Sequence, residues 1–352
     1  MSIKIGDFKI NSDSGVFIIA ELSANHGHDK SIAIETVRAA KKAGADAIKL
    51  QTYRPDTITM ESDKKYFKIN EGTQWDGRTL YDLYDEAHLP WEWHKDIFEA
   101  AEKEGLICFS SPFDKTAVDF LEELNTPAYK IASFEIQDIP LIDYAASKGK
   151  PIIMSTGIAS QEDIQLAVDT CRKAGNEEII LLKCTSSYPA PIELANMRTM
   201  VDMRERFGVQ VGLSDHTLEN TVPVVATSLG ARVIEKHFIL DKSVGGPDAG
   251  FSLDLEEFSS MVNAVRDAEK ALGEVTYELS EKVEKNKKFA RSLFAVKDIK
   301  KGEEFTEENM KSIRPGYGLH PVYYYDIVGK NASNDIERGT PIDAKSINGF
   351  EF

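Results

Sequence analysis

Residues 17–51 read FIIAELSANHGHDKSIAIETVRAAKKAGADAIKLQ and contain one complete strand–helix–strand pattern. FIIAE at 17–21 and AIKLQ at 47–51 are short runs rich in apolar residues, which predict β-strands. Between them, Asp29 is a candidate helix N-cap and Gly44 follows the last residue with helical spacing. A strand, a helix and a second strand in this order predict a βαβ unit with parallel strands.

The same pattern repeats along the chain as far as Gly273. Most steps between strand starts are about 20–30 residues, the length of one strand, one helix and two loops. The step from the second run to the third is longer and predicts an insertion near residues 52–90. Eight such units fit an α/β fold of the (β/α)8 TIM-barrel type better than a doubly wound sheet, since neither G-x-G-x-x-G nor G-x-x-x-x-G-K-[ST] occurs. The six further runs are LICFS (106–110), AYKIA (128–132), PIIMS (151–155), IILLK (179–183), VQVGLS (209–214) and RVIEKH (232–237).

A change of composition after Gly273 predicts a domain boundary. The polar stretch EKVEKNKK lies within a predicted linker over residues 274–288. Residues 289–352 alternate short segments with turn signals, a pattern typical of a small mixed domain. We therefore predict a barrel domain over 1–273, a linker and a small C-terminal domain.

Charge and composition exclude several classes of function. The 352 residues include 42 basic and 58 acidic side chains, a formal net charge of −16, which disfavours nucleic acid and anionic membranes as partners. The sequence has neither the apolar run of a signal peptide nor the ~18 apolar residues of a membrane span, so we expect a soluble, cytoplasmic protein. Its three cysteines form no C-x-x-C pair, which disfavours a disulfide framework or a cysteine zinc site.

Polar residues are concentrated where the predicted strands end, the position of the active site in barrels of this type. The first strand ends in Glu21, and period-two alternation places Lys49 and Gln51 on one face of the second. Together with Lys130 and Lys183, Lys49 predicts a site for a phosphate or a phosphocarboxylate, because cations and hydroxyl donors match the oxygens of such a ligand. The alternative is that these lysines form structural ion pairs with carboxylates. The accompanying strand-end hydroxyls are those of Ser111, Ser133, Ser155, Ser186 and Ser214.

Two histidines end neighbouring predicted strands. His216 and His237 can converge on one divalent cation, with Glu21 or a water completing the ligands. Imidazole and carboxylate ligands suit Mn²⁺, Co²⁺ or Zn²⁺ without choosing among them. Hydrogen-bonded core histidines are the alternative interpretation. His26 and His28 form a second candidate pair, but they lie in a loop.

Nine strings follow one another along the chain at the predicted strand ends: FIIAELSANHGHD, DAIKLQTY, FSSPFD, YKIASFE, IIMSTGI, LLKCTSSYP, GLSDHT, VIEKHF and GPD. In this order they resemble the sialic acid synthase family, whose members condense phosphoenolpyruvate to make nine-carbon sugar acids. ARSLFAVKDIKKGE and IRPGYGL in the tail resemble the small antifreeze-like (SAF) domain of that family. Within the family, PDAGFSLDLEEF and CTSSYP are more similar to the branch that makes pseudaminic acid than to the N-acetylneuraminate branch.

The resemblance implies a phosphoenolpyruvate site and a metal site. His216 and His237 would bind the divalent metal, with Mn²⁺ in first place and Mg²⁺ or Co²⁺ as alternatives. In the N-acetylneuraminate branch an asparagine usually stands at position 186, and the shorter serine predicts a contact through water. The residues that would hold phosphoenolpyruvate are Lys49, Ser111, Lys130, Ser133, Ser155, Ser186 and Ser214.

The resemblance also implies how the sugar is bound and how the chain assembles. Glu21, Gln51, Tyr188 and Asp248 would face the sugar or the reacting atoms as catalytic residues. From spacing alone, Asp248 in GGPDAGF is equally compatible with a sugar-hydroxyl contact and with an ordinary turn. Arg314 would reach from the SAF domain into the active site of a partner chain and contact the N-acyl group of the sugar, which implies a domain-swapped homodimer.

The reaction implied is condensation of phosphoenolpyruvate with 2,4-diacetamido-2,4,6-trideoxy-L-altrose and water, with phosphate released by C–O cleavage. N-acetylneuraminate and legionaminate synthesis are the alternatives within the family. From the residues alone, an aldolase with a Schiff base on Lys130 or Lys183 is a further alternative. A non-catalytic ice- or glycan-binding protein is disfavoured, because such a scaffold does not need polar residues at all eight strand ends.

Overall fold

The first compact unit of the protein is a closed barrel. The computed structural model describes residues 2–70, 72 and 75–351, and Met1–Gly273 form this unit. A hairpin of two short antiparallel strands, β1 (Ile3–Ile5) and β2 (Phe8–Ile10), comes first. Eight parallel strands follow, each paired with the next in chain order, and the last pairs with the first, which confirms the predicted (β/α)8 fold. These strands are β3 (Phe17–Glu21), β4 (Ala47–Thr52), β5 (Ile107–Pro112), β6 (Tyr129–Ile131), β7 (Ile152–Ser155), β8 (Ile179–Cys184), β9 (Gln210–Asp215) and β10 (Val233–His237).

Helices connect the strands and surround the barrel. The first begins after Asp29, whose side chain accepts a hydrogen bond from the Ser31 backbone, and is followed by Gly44 with a φ of +92°. None of the helices in the described part of the chain has the length and apolar character needed to span a bilayer. The helices of this unit are α1 (Lys30–Lys42), α2 (Pro55–Ile58), α3 (Leu80–Ala87), α4 (Trp91–Glu104), α5 (Lys115–Glu123), α6 (Ile139–Ala146), α7 (Gln161–Lys173), α8 (Arg198–Phe207), α9 (Thr221–Ser228) and α10 (Leu255–Leu272).

Alternation along the strands separates two apolar layers. One set of side chains fills the barrel interior, and the other packs against the surrounding helices. The hairpin β1–β2, which the sequence analysis did not predict, contributes Ile3, Ile5 and Ile10 to the interior cluster. This cluster includes residues from the beginnings of several barrel strands, so the hairpin closes the N-terminal end of the barrel and leaves the opposite end for the site. The strand residues of the interior cluster are Phe17, Ile19, Ala47, Phe109, Ile153, Ile180, Leu182 and Val233.

Residues Glu274–Phe352 form a second compact unit. Its two strands are antiparallel, and Phe305, Ile327 and Ile342 belong to its small apolar core. The segment 274–288, predicted as a linker, is exposed and includes a short helix. The helices and strands of this unit are α11 (Glu281–Glu284), β11 (Ser292–Ala295), β12 (Met310–Ile313) and α12 (Tyr324–Ile327).

Candidate active site

Four charged side chains meet inside the barrel near the C-terminal ends of its strands. Glu21, Lys49, Lys130 and Glu235 are at most 5% exposed. Lys49 Nζ contacts the Glu21 carboxylate and lies 3.8 Å from Glu235 Oε1, and Lys130 Nζ lies 3.4 Å from the same oxygen. Isolated buried charges are costly, so the alternation of two cations and two anions is what allows this cluster to be buried. Lys49 and Lys130 therefore form ion pairs with carboxylates, which was the alternative interpretation of the sequence. Their side chains nevertheless face the barrel interior.

The two glutamates of this cluster differ in protonation. Burial raises the pKa of Glu21 to about 7, against the opposing effect of Lys49. Burial also acts on Glu235, but Lys130 and Lys49 together lower its pKa below the ordinary value. Glu21 is thus the carboxyl group that can exchange a proton near neutral pH, which is the property of a general base.

Lys183 does not belong to this cluster, so its prediction as part of the anion site was wrong. On β8, Ile180 and Leu182 face the interior, and the alternation places Lys183 on the outer face. Its Nζ donates to the carbonyl oxygen of Cys184 at 2.7 Å. Cys184 itself shares the inward face with Leu182, and its Sγ lies 3.9 Å from His216 Nδ1. Strict period-two alternation would have identified this cysteine from the sequence.

Three serines and a glycine lie at the end of β7 and in the loops after β6, β7 and β8. Ser133 Oγ accepts a hydrogen bond from the Gly157 amide at 3.2 Å. A Cβ atom on Gly157 would lie 2.0 Å from Ser186 Oγ and 2.8 Å from Ser133 Oγ, so these groups converge. Within the described residues, the hydroxyls of Ser155 and Ser186 are buried and have no hydrogen-bond partner. Buried hydroxyls are normally satisfied, so these two are available to a ligand rich in acceptor oxygens.

The two remaining predicted serines each contact the charged cluster. Ser111 Oγ accepts a hydrogen bond from Lys49 Nζ at 3.2 Å. Ser214 Oγ donates to Glu235 Oε1, also at 3.2 Å. Serines and lysines from six strands and their loops are therefore combined at one end of the barrel, as a phosphate ligand requires.

His216 and His237 lie side by side, with ring centroids 5.3 Å apart. His216 Nδ1 donates to the Thr185 carbonyl at 2.9 Å, which leaves Nε2 as a potential ligand atom. His237 Nδ1 is buried and has no hydrogen-bond partner among the residues that the structure describes. Burial lowers the pKa of His237 well below its usual value, so the ring is neutral as a metal ligand must be. The two imidazoles can therefore serve as ligands of one divalent cation. Because no group of three or more histidine, cysteine or acidic side chains within the described residues could hold a metal, the remaining ligands would come from water or substrate.

A chain of hydrogen bonds extends from Glu21 toward Asp248. Gln51 Nε2 donates to Glu21 Oε1 and to Ser23 Oγ, both at 3.0 Å. Ser23 Oγ in turn donates to Asp248 Oδ2. Ser23, which the sequence analysis missed, has a φ of +47°, an uncommon value for a residue with a side chain and one that often marks functional sites. Asp248 is therefore linked to the predicted catalytic residues and is more than a turn residue.

Aromatic side chains cover the histidine pair. The Tyr188 ring lies 4.3 Å from the His216 ring and 5.0 Å from Phe251, measured between centroids. Phe251 also lies 4.9 Å from His237. Phe251 was not predicted, since its loop position after a GGPD turn carries no periodic signal. The two aromatic rings restrict access of water to the imidazoles.

Two further sets of predicted residues belong to other elements of the chain. Arg314 directly follows β12 in the second unit, and its side chain is exposed. The ring nitrogens of His26 and His28 contact the carbonyl oxygens of Ala87 and Glu86. These two histidines thus attach the loop after β3 to the end of α3, which argues against the alternative that they bind a metal.

Comparison with known proteins places the sequence among sugar acid synthases. The NeuB family profile matches residues 36–277, and the SAF domain profile matches residues 290–348. The chain is 54% identical over 337 residues to pseudaminic acid synthase of Campylobacter jejuni, which covers 96% of this chain and 97% of that protein. It is 51% identical to pseudaminic acid synthase of Helicobacter pylori, with 94% and 97% covered. Identity falls to 37% for N,N'-diacetyllegionaminic acid synthase of Legionella pneumophila, with 93% of each chain covered.

A solved structure has the same architecture over the full length. The spore coat polysaccharide biosynthesis protein SpsE of Bacillus subtilis superposes with a TM-score of 0.68 and 31% sequence identity, covering 100% of both chains.

Proposed function

Since the chain belongs to the NeuB family, we propose that it is a synthase that condenses phosphoenolpyruvate with 2,4-diacetamido-2,4,6-trideoxy-L-altrose and water to form pseudaminic acid and phosphate. One observation carries the proposal: ion-paired lysines and, within the described residues, unsatisfied serine hydroxyls lie at the C-terminal end of the barrel beside two adjacent histidines. The higher identity to pseudaminic than to legionaminic acid synthases supports this acceptor.

Phosphoenolpyruvate binds through charge and hydrogen bonds in this proposal. Lys49 and Lys130 neutralise the anion, and their pairing with glutamates keeps them in place when the ligand is absent. The hydroxyls of Ser155 and Ser186 gain the acceptors that the described part of the free protein does not offer them. Binding of the ligand therefore gives hydrogen bonds to buried hydroxyls that are energetically unfavourable in the free protein.

A divalent metal held by His216 and His237, with Mn²⁺ in first place, would supply Lewis-acid polarisation of the acceptor aldehyde. The aromatic rings of Tyr188 and Phe251 exclude water around these two imidazoles. Asp248, held by Ser23, accepts hydrogen bonds from sugar hydroxyls.

The protein's residues then guide the bond changes. C3 of the enol attacks the aldehyde carbon, which leaves positive charge at C2, and water adds there. Glu21 accepts a proton from this water, while Gln51 fixes the orientation of its carboxylate. The tetrahedral intermediate collapses with cleavage of the C2–O bond, and Lys49 and Lys130 stabilise the charge of the departing phosphate.

Gly157→Ala is expected to raise the KM for phosphoenolpyruvate at least about tenfold, the effect of losing roughly one good hydrogen bond. The new methyl group would take the space of Ser186 Oγ and press on Ser133 Oγ, so both hydroxyls must turn away. Steady-state kinetics would measure this, with Gly149→Ala between α6 and β7 as the control: a Cβ there meets no atom within 4 Å, and its φ of +72° shows whether backbone strain away from the pocket changes KM. An unchanged KM would contradict the assignment of this pocket to phosphoenolpyruvate.

The function is tested by phosphate release from phosphoenolpyruvate with three acceptors: N-acetylmannosamine and the two diacetamido-trideoxyhexoses that lead to legionaminic and pseudaminic acid. We expect the highest kcat/KM with the altrose derivative and no release without an acceptor. We also expect a chelator to abolish release and Mn²⁺ to restore it. A preference for N-acetylmannosamine would overturn the acceptor, and trapping of pyruvate on the protein by borohydride would overturn the reaction type.

We further propose that the chain acts as a domain-swapped homodimer, in which the partner's Arg314 contacts the N-acyl group of the sugar. Several apolar side chains are exposed on the loops after β6, β7, β8 and β9, at the barrel mouth. Their exposure supports the proposal that a further protein surface covers them. These side chains are Phe134, Ile158, Ile192, Leu194 and Leu218.

Mixing two inactive variants tests this assembly. Arg314→Ala and Glu21→Gln should each have low activity, whereas an exchanged mixture should recover activity, because one site of each heterodimer then has both residues intact. Recovery requires subunit exchange, which mass spectrometry of the mixture would verify. A mixture that forms heterodimers without recovering activity would contradict the swapped arrangement.

A further inference from the structure

Glu135 is a carboxyl group beside the proposed phosphoenolpyruvate pocket that takes no part in the mechanism described so far. It ends a 3₁₀ turn, Ser133–Glu135, between β6 and α6. Its Oε2 atom is buried and has no hydrogen-bond partner within the described residues. Because Ser133 of the same turn contacts the Gly157 amide, the turn forms one side of the pocket.

Titratable groups on four different elements surround Glu135. Burial is the main influence and raises the pKa of Glu135 to about 7. Lys130 on β6 and Lys49 on β4 oppose this effect, and Asp138 at the start of α6 adds to it. Tyr84 on α3 is the remaining neighbour, because the charge of Glu135 contributes to raising the pKa of that phenol. A substantial fraction of Glu135 is therefore protonated at neutral pH, with an unengaged oxygen.

The proposed reaction needs a proton donor that Glu21 does not provide. Phosphate leaves by cleavage of the C2–O bond, and protonation of the bridging oxygen makes it a better leaving group. Glu21 is occupied as the base toward water and the C2 hydroxyl. Lys49 and Lys130 are engaged with carboxylates and stabilise charge. A second carboxyl group, protonated and on the phosphate side, is suited to this step.

We propose that Glu135 is the general acid that donates a proton to the bridging oxygen as the phosphate departs, an inference that rests on the proposed function. The electron pair of the C2–O bond goes to the bridging oxygen, which takes the proton of Glu135 and leaves as hydrogen phosphate. Before this collapse, Glu21 returns the proton that it took from water to the alkoxide formed from the acceptor aldehyde, so Glu21 is again a base. The C2 hydroxyl then becomes the ketone of the product and passes its proton to Glu21. Glu21 finally loses that proton to solvent and Glu135 gains one, which restores both groups.

The test compares Glu135→Gln with Glu162→Gln, a control that changes the same side chain at an exposed position of α7. We expect kcat for phosphate release to fall about 10²–10⁴-fold in Glu135→Gln, the usual contribution of a general acid, with the dissociation constant of phosphoenolpyruvate changed less than about threefold. The control should match the wild type. Calorimetric titration with phosphoenolpyruvate and circular dichroism would establish that the variant is folded and binds its substrate.

The pH profile provides a readout that a structural role would not change. Since the acid form is needed, wild-type kcat should decrease as the pH rises above about 7, and this decrease should disappear in Glu135→Gln. A variant with near-normal kcat, with the alkaline decrease intact, or with a defect confined to phosphoenolpyruvate binding would overturn the inference. Failure of the wild type to release phosphate with any acceptor would instead overturn the proposed function, so the two failures are distinguishable.

Discussion

Glu21→Gln is expected to lower kcat for phosphate release by about 10²–10⁴-fold, because an amide cannot accept the proton of the attacking water. Glutamine has the same size, and its carbonyl oxygen can still accept the hydrogen bond from Gln51. Lys49 keeps Glu235 as a second carboxylate 3.8 Å away, so its charge is not left without a partner. Steady-state phosphate release, together with calorimetric titration of phosphoenolpyruvate, would measure the separate effects on chemistry and binding.

The pH dependence distinguishes a base from a merely structural residue. With a pKa of about 7 in the folded protein, Glu21 becomes protonated as the pH falls, so wild-type kcat should decrease below about pH 7. The variant should lack this acid limb. Glu99→Gln, which makes the same change on the exposed side of α4, is the matched control. If Glu21→Gln kept normal turnover while folded and able to bind phosphoenolpyruvate, Glu21 would not be the base.

Asp215→Asn is expected to destabilise the barrel by about 3–5 kcal/mol, the cost of breaking a buried ion pair. Lys236 is 1% exposed and contacts Asp215 and the carbonyl oxygen of Thr217. Without the carboxylate, the buried ammonium loses its anionic partner and keeps only neutral acceptors, the Thr217 carbonyl oxygen and the amide oxygen of the new asparagine. Chemical denaturation followed by circular dichroism would give the change in the free energy of unfolding.

The reverse variant and the double variant test the physical reason. Lys236→Met should cost less than Asp215→Asn, because Asp215 retains hydrogen bonds from the Thr217 amide and hydroxyl, both at 3.0 Å. The double variant should be more stable than Asp215→Asn alone, since no unpaired charge remains. If the losses in the free energy of unfolding were additive in the double variant, the interaction between the two side chains would not contribute to stability.

The sequence predicted the barrel well because its strands are almost entirely buried and are separated by helices with clear start and stop signals. FIIAE became β3 with unchanged bounds, and Asp29 caps α1 as expected. The hairpin β1–β2 was missed because strands of three residues are too short to have a recognisable period.

At the site, the structure brings Glu21, Lys49 and Lys130 together inside the barrel, as the sequence predicts for these strand residues, and it differs from the sequence analysis in two identifiable ways. Lys183 was assigned to the anion site by its position at a strand end, although alternation on β8 turns it outward. Ser23, Phe251 and Glu135 lie in loops and turns, where no periodicity indicates direction. Their positions depend on contacts between segments far apart in the chain, such as the hydrogen bond from Ser23 to Asp248.

The packing of the N-terminal hairpin depends on the last strand of the barrel. Ile3, Ile5 and Ile10 share one apolar cluster with residues as distant as Val233. During synthesis the hairpin emerges before the barrel strands, yet the surface that it covers exists only after all eight strands have paired. Docking of the hairpin is therefore a late event in folding, and slow hydrogen exchange of its amides would report that the barrel has closed.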